Sequence, residues 1–346
     1  ALAFRLPVDV DAARLKNAWV LLLKRHDVLR ATAATASNSG EPRYVVFNTD
    51  FPYDHWFEET YPYPTFHQNL VNRLQHFVRH PLDLKRCAIR TTLFRSQPAG
   101  HAYIVIHINH IHYDGGCMPH LLKDFNALYN VLDPIPIIPI EPFLNSFPIQ
   151  GAALDTQEQF WKATLPVPFK PVSFPRLHTP NDIELPRYVK RICLQQSSEV
   201  LKMTECQKRV KLEGTTLGAI CLATWAVVHA RYAGNTHATF GIWHSGRSGL
   251  VDGIELAIVP ACNVLPIHVD TTAPVWEIAR YIRKNLVDRT PEVEQSELAD
   301  IARWTQAGDA PIINTNVNIL HTAAPSPENM FIEPVRIVRT LSFGCP

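Results

Sequence analysis

Apolar and polar positions along the chain follow two different periods, which predict a protein of mixed helices and strands. Short stretches that alternate between apolar and polar residues, or that are apolar throughout, predict strands. The clearest of them cover residues 3–6, 44–47, 88–94, 103–108, 240–243 and 263–269, with weaker ones at 312–320 and 331–338. Apolar residues three and four positions apart predict helices. These cover residues 70–78, 118–132, 157–162, 215–232 and 275–286, and an earlier helix carries Leu15, Trp19, Leu22 and Leu23 behind a capping Asp9 or Asp11.

One pair of predicted strands forms a hairpin. The strands at 88–94 and 103–108 flank the sequence QPAG at 97–100, which is typical of a turn. The second strand leads into HINHIHYDGG at 107–116, where Asp-Gly marks another turn. The hairpin therefore delivers three histidines and an aspartate to a loop at the edge of a predicted core. No element is predicted for the aromatic, proline-bearing stretch 51–66.

The length of 346 residues favours two domains of ordinary size over a single core. A proline-rich stretch, DPIPIIP at 133–139, stops the preceding helix and stays extended. We therefore predict a boundary there, with an N-terminal lobe at 1–140 that carries the histidine loop and a C-terminal lobe at 141–346. The stretch 166–186 is predicted to be a second extended crossing.

Composition describes a packed globular protein and excludes several classes of partner. Hydrophobic residues make up 46% of the chain and charged residues 19%, which is typical of a folded domain. The formal net charge of +1 provides no basic surface for nucleic acid or an anionic membrane. No apolar stretch reaches membrane-spanning length, and the first residues lack the order of a signal peptide. Seven scattered cysteines without a CxxC pair indicate buried thiols in a reducing compartment, so we predict a cytoplasmic protein.

The histidine loop allows three interpretations. His107, His110 and His112 with Asp114 could bind a metal, but along a strand His107 would face away from the other two, and no second cluster with metal-ligand spacing occurs in the sequence. Packed core histidines with satisfied hydrogen bonds are the favoured interpretation for His107 and His112. General acid/base chemistry by His110, with Asp114 holding the loop, is the third.

Seven elements of the sequence together resemble a known family. Residues 109–115, NHIHYDG, are similar to the HHxxxDG motif of the condensation domains of nonribosomal peptide synthetases, which are relatives of chloramphenicol acetyltransferase. The other six elements occur in the family's order: RHDVLR at 25–30, FW at 160–161, TTL at 215–217, SGR at 245–247, NVLP at 263–266 and NTNVN at 314–318. Each element is weak alone, but their shared order makes the resemblance specific.

The resemblance implies a fold and an active site. The implied fold is α/β (α+β), with two chloramphenicol-acetyltransferase-like lobes that form a V and an active site in a tunnel between them. His110 is the implied catalytic residue, either as a general base or as the group that orients the amine and stabilises the intermediate. Asp114 is implied to hold the loop through a salt bridge, for which we predict Arg247 as the partner. Gly115 would permit close approach of the backbone to the reacting carbonyl.

Two departures from the family pattern point to a subclass. Asn109 stands where the family has its first histidine, and Tyr113 precedes the aspartate. Both features are similar to the terminal condensation-like domains of fungal synthetases, which release the finished peptide by cyclisation. Asn109 can form hydrogen bonds but cannot shuttle a proton, so we expect its loss to matter less than that of His110. The family's opening motif and closing segments are not matched, and we expect a trimmed domain.

The resemblance therefore predicts amide-forming cyclisation and release of a peptidyl thioester. The substrate would arrive on the phosphopantetheine of an upstream peptidyl carrier (thiolation) domain, and we predict no cofactor or metal bound by the domain itself. Trp243 and Asn263 are candidate pocket residues, although a core position fits Trp243 better. Three alternatives stay open: an elongating condensation domain that joins two carrier-bound substrates, a catalytically idle carrier-docking scaffold, and a free-standing acyltransferase that uses coenzyme A.

Overall fold

The computed structural model describes residues 1–35, 42–50, 55–80, 82–83, 89–98, 100–147, 150–172, 188–189, 203–249, 251–308, 311–319, 333–334 and 343–344. Its strands are β1 (Leu2–Leu6), β2 (Ala31–Thr35), β3 (Pro42–Val46), β4 (Trp56–Pro62), β5 (Ile89–Gln97), β6 (Ala102–Ile108), β7 (Tyr188–Val189), β8 (His237–His244), β9 (Asn263–Asp270), β10 (Asn316–Val317), β11 (Glu333–Pro334) and β12 (Phe343–Gly344). Its helices are α1 (Ala12–Arg25), α2 (Tyr63–Arg79), α3 (Met118–Asn130), α4 (Glu141–Asn145), α5 (Ala152–Thr164), α6 (Met203–Leu212), α7 (Leu217–Tyr232), α8 (Val275–Val287), α9 (Pro291–Glu294) and α10 (Leu298–Trp304).

The first sheet has five strands in the order β11, β1, β6, β5, β4. Strand β4 runs parallel to β5, and the other neighbours are antiparallel. The predicted hairpin is confirmed, because β5 and β6 pair with Ile89 opposite Ile108 and Phe94 opposite Tyr103. Strand β6 is central and almost fully buried, so the loop that follows it starts from a rigid support.

Helix α1 covers this sheet. Of the two predicted caps, Asp11 is the one used, since its Oδ1 accepts hydrogen bonds from the backbone N–H groups of Ala13 and Arg14. The apolar face of α1 is buried as its spacing predicts. Trp19 on that face meets Phe125 of α3 edge-on, with ring centroids 5.4 Å apart. Helix α3 starts directly after the histidine loop, so this contact also anchors the far side of the loop.

The core of the first lobe contains residues from beyond the predicted boundary at residue 140. Its buried cluster includes Leu93 and Ile104 of the hairpin, Phe143 of α4, and five apolar residues of the segment 254–261. Strand β11 also joins this sheet, as the edge neighbour of β1. Part of the later sequence is therefore built into the first core, and the boundary itself stays a prediction.

The second lobe is built on β8 and β9. These strands pair antiparallel with His237 opposite Asp270 and His244 opposite Asn263, and β10 lies parallel to β8 on its other side. Helices α7 and α8 pack on this sheet through a core of small and branched side chains. Because β8 ends where β9 begins, the SGR loop at 245–247 and the start of the NVLP strand lie at one edge of the sheet.

Several predicted elements differ from the observed ones. The stretch 51–66 contains β4 and the start of α2, and β4 escapes prediction because it is an edge strand with most side chains exposed. Helix α5 is longer than the predicted 157–162. Of the predicted strand 312–320, the structure describes 312–319, and within that part only Asn316–Val317 pairs as a strand. Most of the predicted crossing at 166–186 and most of 331–338 lie outside the described residues.

The described part of the chain also tests the predictions made from composition about the cysteines and about membrane-spanning segments. Cys117 is buried as predicted, but Cys221 is exposed, so the prediction of uniformly buried thiols is wrong for that residue; all four described cysteines are free. Among the described helices none is individually long and apolar enough to cross a membrane, and one pair, Glu205–Leu212 with Leu217–Tyr232, meets that length and composition only together, bent by 84°.

Candidate active site

The histidine loop begins with a single turn of 3-10 helix, His110–His112, directly after β6. Asn109 caps this turn, because its Oδ1 accepts a hydrogen bond from the Ile111 N–H at 3.1 Å. The Tyr44 hydroxyl donates to the Ile111 carbonyl at 2.8 Å. The strand geometry that would put His110 and His112 on one face therefore does not apply, since both lie in this turn.

The three histidines of the loop have different environments. His107 is buried and its ring stacks on Phe77, with centroids 4.8 Å apart. Burial, together with nearby positive charges, lowers the pKa of His107 to about 4, so the ring is neutral. His112 is fully buried and its Nδ1 lies 2.7 Å from the Val28 carbonyl oxygen. His110 is exposed, and no group of three or more described His, Cys, Asp or Glu side chains is placed to hold a metal ion.

His110 stacks on Tyr113. The ring centroids are 4.6 Å apart and the ring planes differ by 23°. Burial, with a smaller contribution from Cys117, raises the pKa of the Tyr113 phenol, so that ring stays neutral. The stack fixes the plane of the His110 ring and places an aromatic face against it. An exposed, oriented imidazole of this kind can act in proton transfer.

Asp114 is a buried carboxylate with every lone pair directed at a donor. Its Oδ1 accepts from the Cys117 N–H at 2.7 Å, and its Oδ2 accepts from the Ala261 and Cys262 N–H groups at 2.8 and 3.1 Å. Arg247 Nη2 lies 3.0 Å from Oδ1 and 3.3 Å from Oδ2. Burial would raise the pKa of Asp114, but the Cys117 hydrogen bond, the charge of Arg247 and the Ala261 hydrogen bond together hold it below its ordinary value.

Arg247 joins the histidine loop to the segment 254–261. The predicted ion pair with Asp114 is present, and the same guanidinium donates to three backbone carbonyls, those of Ile254 at 2.6 Å, Ala257 at 3.0 Å and Val259 at 2.7 Å. The side chain is 9% exposed. The SGR loop therefore links the histidine loop to the segment 254–261 through the buried charge of Arg247.

Two neighbouring glycines of the loop differ in what surrounds them. A Cβ added at Gly115 would meet nothing within 4 Å, so any close approach that Gly115 permits concerns a molecule outside the described chain. A Cβ added at Gly116 would lie 2.7 Å from Arg247 Nε and 3.3 Å from Asp114 Oδ1. Gly116 is the glycine that the ion pair requires, and sequence reasoning missed it because its role depends on a contact with a residue more than a hundred positions away.

We expect Gly116→Ala to destabilise the protein by about 1–3 kcal/mol, because the added methyl displaces a guanidinium that four acceptors hold in place. Gly115→Ala is the matched control, and its free energy of unfolding should stay within about 0.5 kcal/mol of the wild-type value. Urea unfolding of the two variants checks this. Equal destabilisation by both substitutions would contradict the assignment of Gly116.

The two candidate pocket residues have clear partners. Trp243 is 38% exposed, so the expectation of a core position is wrong, and its indole N–H donates to Asn316 Oδ1 at 3.0 Å. Asn263 donates through Nδ2 to the carbonyls of Glu294 and Ser296 at 2.9 and 3.0 Å. Asn263 therefore ties β9 to the segment after α9, whereas Trp243 presents a large apolar surface beside the SGR loop.

A polar network around His244, at the end of β8, was not predicted from the sequence. Arg289 donates to His244 Nε2 at 2.7 Å, so Nδ1 carries the hydrogen and faces Glu294 Oε1 at 3.3 Å. Ser248 donates to the other Glu294 oxygen. Burial would raise the pKa of Glu294, but the bonds from His244 and Ser248 lower it, and burial lowers the pKa of Arg289 to about 10. The network fixes both ends of the SGR loop.

Comparison with known proteins agrees with this arrangement. A family model described as "Condensation domain" matches residues 1–333. The chain is similar to coprinoferrin synthetase from Coprinopsis cinerea, with 34% identity over 339 residues that cover 96% of this chain and 14% of that protein. It is also similar to nonribosomal peptide synthetase NPS2 from Ceriporiopsis subvermispora, with 30% identity over 335 residues, 92% of this chain and 13% of that protein. The chain thus corresponds to a small part of each relative.

Two solved structures illustrate the shared fold. The X-domain from teicoplanin biosynthesis matches with a TM-score of 0.73 and 17% identity over 99% of this chain and 78% of that one. The first condensation domain of the calcium-dependent antibiotic synthetase matches with a TM-score of 0.68 and 16% identity over 99% of this chain and 79% of that one. The predicted α/β fold of two chloramphenicol-acetyltransferase-like lobes is confirmed.

The fold and the matched family define the class of protein: the chain belongs to the condensation-domain family. Condensation domains of nonribosomal peptide synthetases form amide bonds from thioester substrates that carrier domains present. The resemblance expected from the seven sequence elements is thereby confirmed at the level of the family.

Proposed function

We propose that this chain is a terminal condensation-like domain that releases a peptidyl thioester from the phosphopantetheine of an upstream carrier domain by intramolecular amide formation. The observation that carries the proposal is that the side chains of the histidine loop have different roles. His110 is the exposed ring of the three, whereas the preceding position holds Asn109, whose side chain caps the turn. A single proton-transfer residue is therefore available, as expected for the subclass that Asn109 and Tyr113 resemble.

In the proposed reaction, His110 transfers a proton from the attacking amine to the departing thiol. A free amine of the peptide attacks the thioester carbonyl carbon, a C–N bond forms, and the C–S bond breaks to release the phosphopantetheine thiol. His110 takes the proton that the amine loses and returns it to the departing sulfur. Tyr113 holds the plane of the His110 ring through the stack during this step. Asp114 has no free lone pair directed at the substrate and acts by holding the loop.

The proposed tunnel between the lobes would bring the phosphopantetheine arm to His110. Support for it comes from the ion pair of Asp114 and Arg247, which joins the histidine loop of the first lobe to the SGR loop of the second. Trp243, exposed beside the SGR loop, would contribute apolar surface to the substrate pocket. The domain itself needs no bound cofactor for this chemistry.

We expect candidate peptidyl thioesters on the upstream carrier to yield a cyclic peptide, whose mass is lower than that of the linear acid by one water. Mass spectrometry of the released product checks this. The same incubation with an acceptor carrier loaded with an aminoacyl group is the control. A product that appears only with the acceptor carrier would contradict cyclisation and favour an elongating condensation domain.

A further inference from the structure

His112 is a fully buried histidine that the proposed reaction does not use. Its Nδ1 lies 2.7 Å from the Val28 carbonyl oxygen, and its Nε2 is buried with no hydrogen-bond partner among the described residues. Because a carbonyl oxygen only accepts, Nδ1 carries the hydrogen and Nε2 holds a lone pair. Burial lowers the pKa of His112, against a smaller opposing effect of the Val28 bond, so the ring is neutral.

Stability does not explain a histidine at this position. A buried acceptor without a partner costs free energy, and an apolar side chain of similar volume would fill the same space without that cost. What an apolar side chain could not provide is the directed hydrogen bond to Val28. The bond therefore has a function other than filling the core.

Val28 belongs to a rigid element. It lies in the 3-10 turn Asp27–Arg30, the second half of the RHDVLR sequence. Arg30 donates from Nε to the Leu23 carbonyl at 3.1 Å, and its guanidinium also binds the Phe47 carbonyl and Asp27. The turn is thereby tied to the end of α1 and to the segment after β3, so the Val28 carbonyl has a fixed position.

The first half of the same sequence is tied down on α3. Asp124 there is fully buried. Its Oδ2 lies 2.9 Å from Arg25 Nε and 2.5 Å from His26 Nε2, and its Oδ1 accepts from the Ile135 N–H at 3.1 Å. RHDVLR is thus clamped on both sides of Val28, by Asp124 and by the carbonyls that Arg30 binds.

We propose that His112 is a positioning residue: its Nδ1–H anchors the turn that carries His110 to the Val28 carbonyl, so that the RHDVLR element sets where the catalytic ring stands. This inference rests on the proposed role of His110. His112 and His110 are two residues apart in one turn, one directed into the core and the other exposed. A shift of the buried end therefore moves the exposed end, and a displacement of about 1 Å can lower a rate by about 10²-fold.

Two substitutions of His112 test the proposal on the domain with its carrier-bound peptidyl thioester. His112→Leu fills the space but cannot donate, whereas the side-chain amide of His112→Asn places an N–H at the same number of bonds from Cα as Nδ1. We expect the leucine variant to lose about 10²-fold in kcat with an unchanged KM and an unchanged Tm, and the asparagine variant to recover most of that loss.

Three outcomes would overturn the proposal. These are a leucine variant with wild-type kcat, an asparagine variant as slow as the leucine variant, and a leucine variant whose Tm falls together with its activity, which would make His112 a structural residue. His110→Ala, assayed beside them, separates this proposal from the proposed function. An active His110→Ala variant would refute the catalytic role of His110 whatever the His112 variants do. A linear amide as product would refute cyclisation alone and leave the comparison of His112 variants valid.

Discussion

Replacement of His110 by alanine is expected to lower kcat by about 10²–10⁴-fold, which is the contribution of a positioned general base. The amine nucleophile is then left without a group to take its proton. The fold should persist, because the His110 side chain is exposed and its only ring contact among the described residues is with Tyr113. Release of product from a carrier-bound peptidyl thioester, followed by mass spectrometry, measures the loss, and thermal unfolding checks that the variant is folded.

Two further variants serve as comparisons for His110→Ala. His67→Ala removes an exposed histidine of α2 and should leave kcat unchanged. Asn109→Ala removes the acceptor that caps the turn, and its effect on kcat should be smaller than that of His110→Ala because no proton-transfer group is lost. Wild-type product formation by His110→Ala would instead be the result that a catalytically idle carrier-docking scaffold predicts.

The parts of the fold that local pattern determines were predictable. The hairpin of β5 and β6 follows from two apolar runs and a turn sequence, and the observed pairing of Phe94 with Tyr103 agrees with it. Helix α7 follows from the capping Thr216 and the apolar run behind it. Strand β4 could not be predicted in the same way, since an exposed edge strand lacks the alternation that a half-buried strand shows.

The candidate site likewise has parts that the sequence predicts and parts that it does not. His110 could be singled out because its neighbours match a motif, and Arg247 could be paired with Asp114 for the same reason. The three backbone carbonyls that complete the Arg247 site could not be predicted, because backbone groups leave no sequence signal. Gly116 and His112 matter through contacts with Arg247 and Val28, which are distant along the chain. The spacing of apolar and polar residues along the sequence carries no information about such contacts.

Asp114→Asn is expected to be the most destabilising single substitution in the loop, by about 3–5 kcal/mol, because it leaves the Arg247 charge buried without its partner. The new amide group would also face backbone N–H donors that the carboxylate now accepts from. Activity should fall with stability, since the same contacts hold the loop that presents His110. Chemical denaturation and product release, measured on one preparation, check both effects.

Asp288→Asn is the matched control for this substitution. It makes the same chemical change in an ion pair with Lys284 on the surface of α8, where the two side chains are 47% and 76% exposed. Water screens such a pair, so the free energy of unfolding should change by less than about 1 kcal/mol. A loss at Asp114 no larger than that at Asp288 would show that the buried pair adds nothing.

The pH dependence of the loss of stability in Asp114→Asn tests whether the Asp114 carboxylate is its source. The folded-state pKa of Asp114 lies below its ordinary value, so its ionisation stabilises the fold fully above the unfolded-state pKa of about 3.9. That contribution is lost only as the pH falls through the lower, folded-state pKa. The difference in unfolding free energy between wild type and Asp114→Asn should therefore be constant from pH 7 to about pH 5 and shrink below about pH 4. A difference that already shrinks between pH 7 and 5 would assign the effect to a histidine coupled to the ion pair. His120, whose pKa is lowered by burial and then by the charge of Arg247, would be the first residue to test.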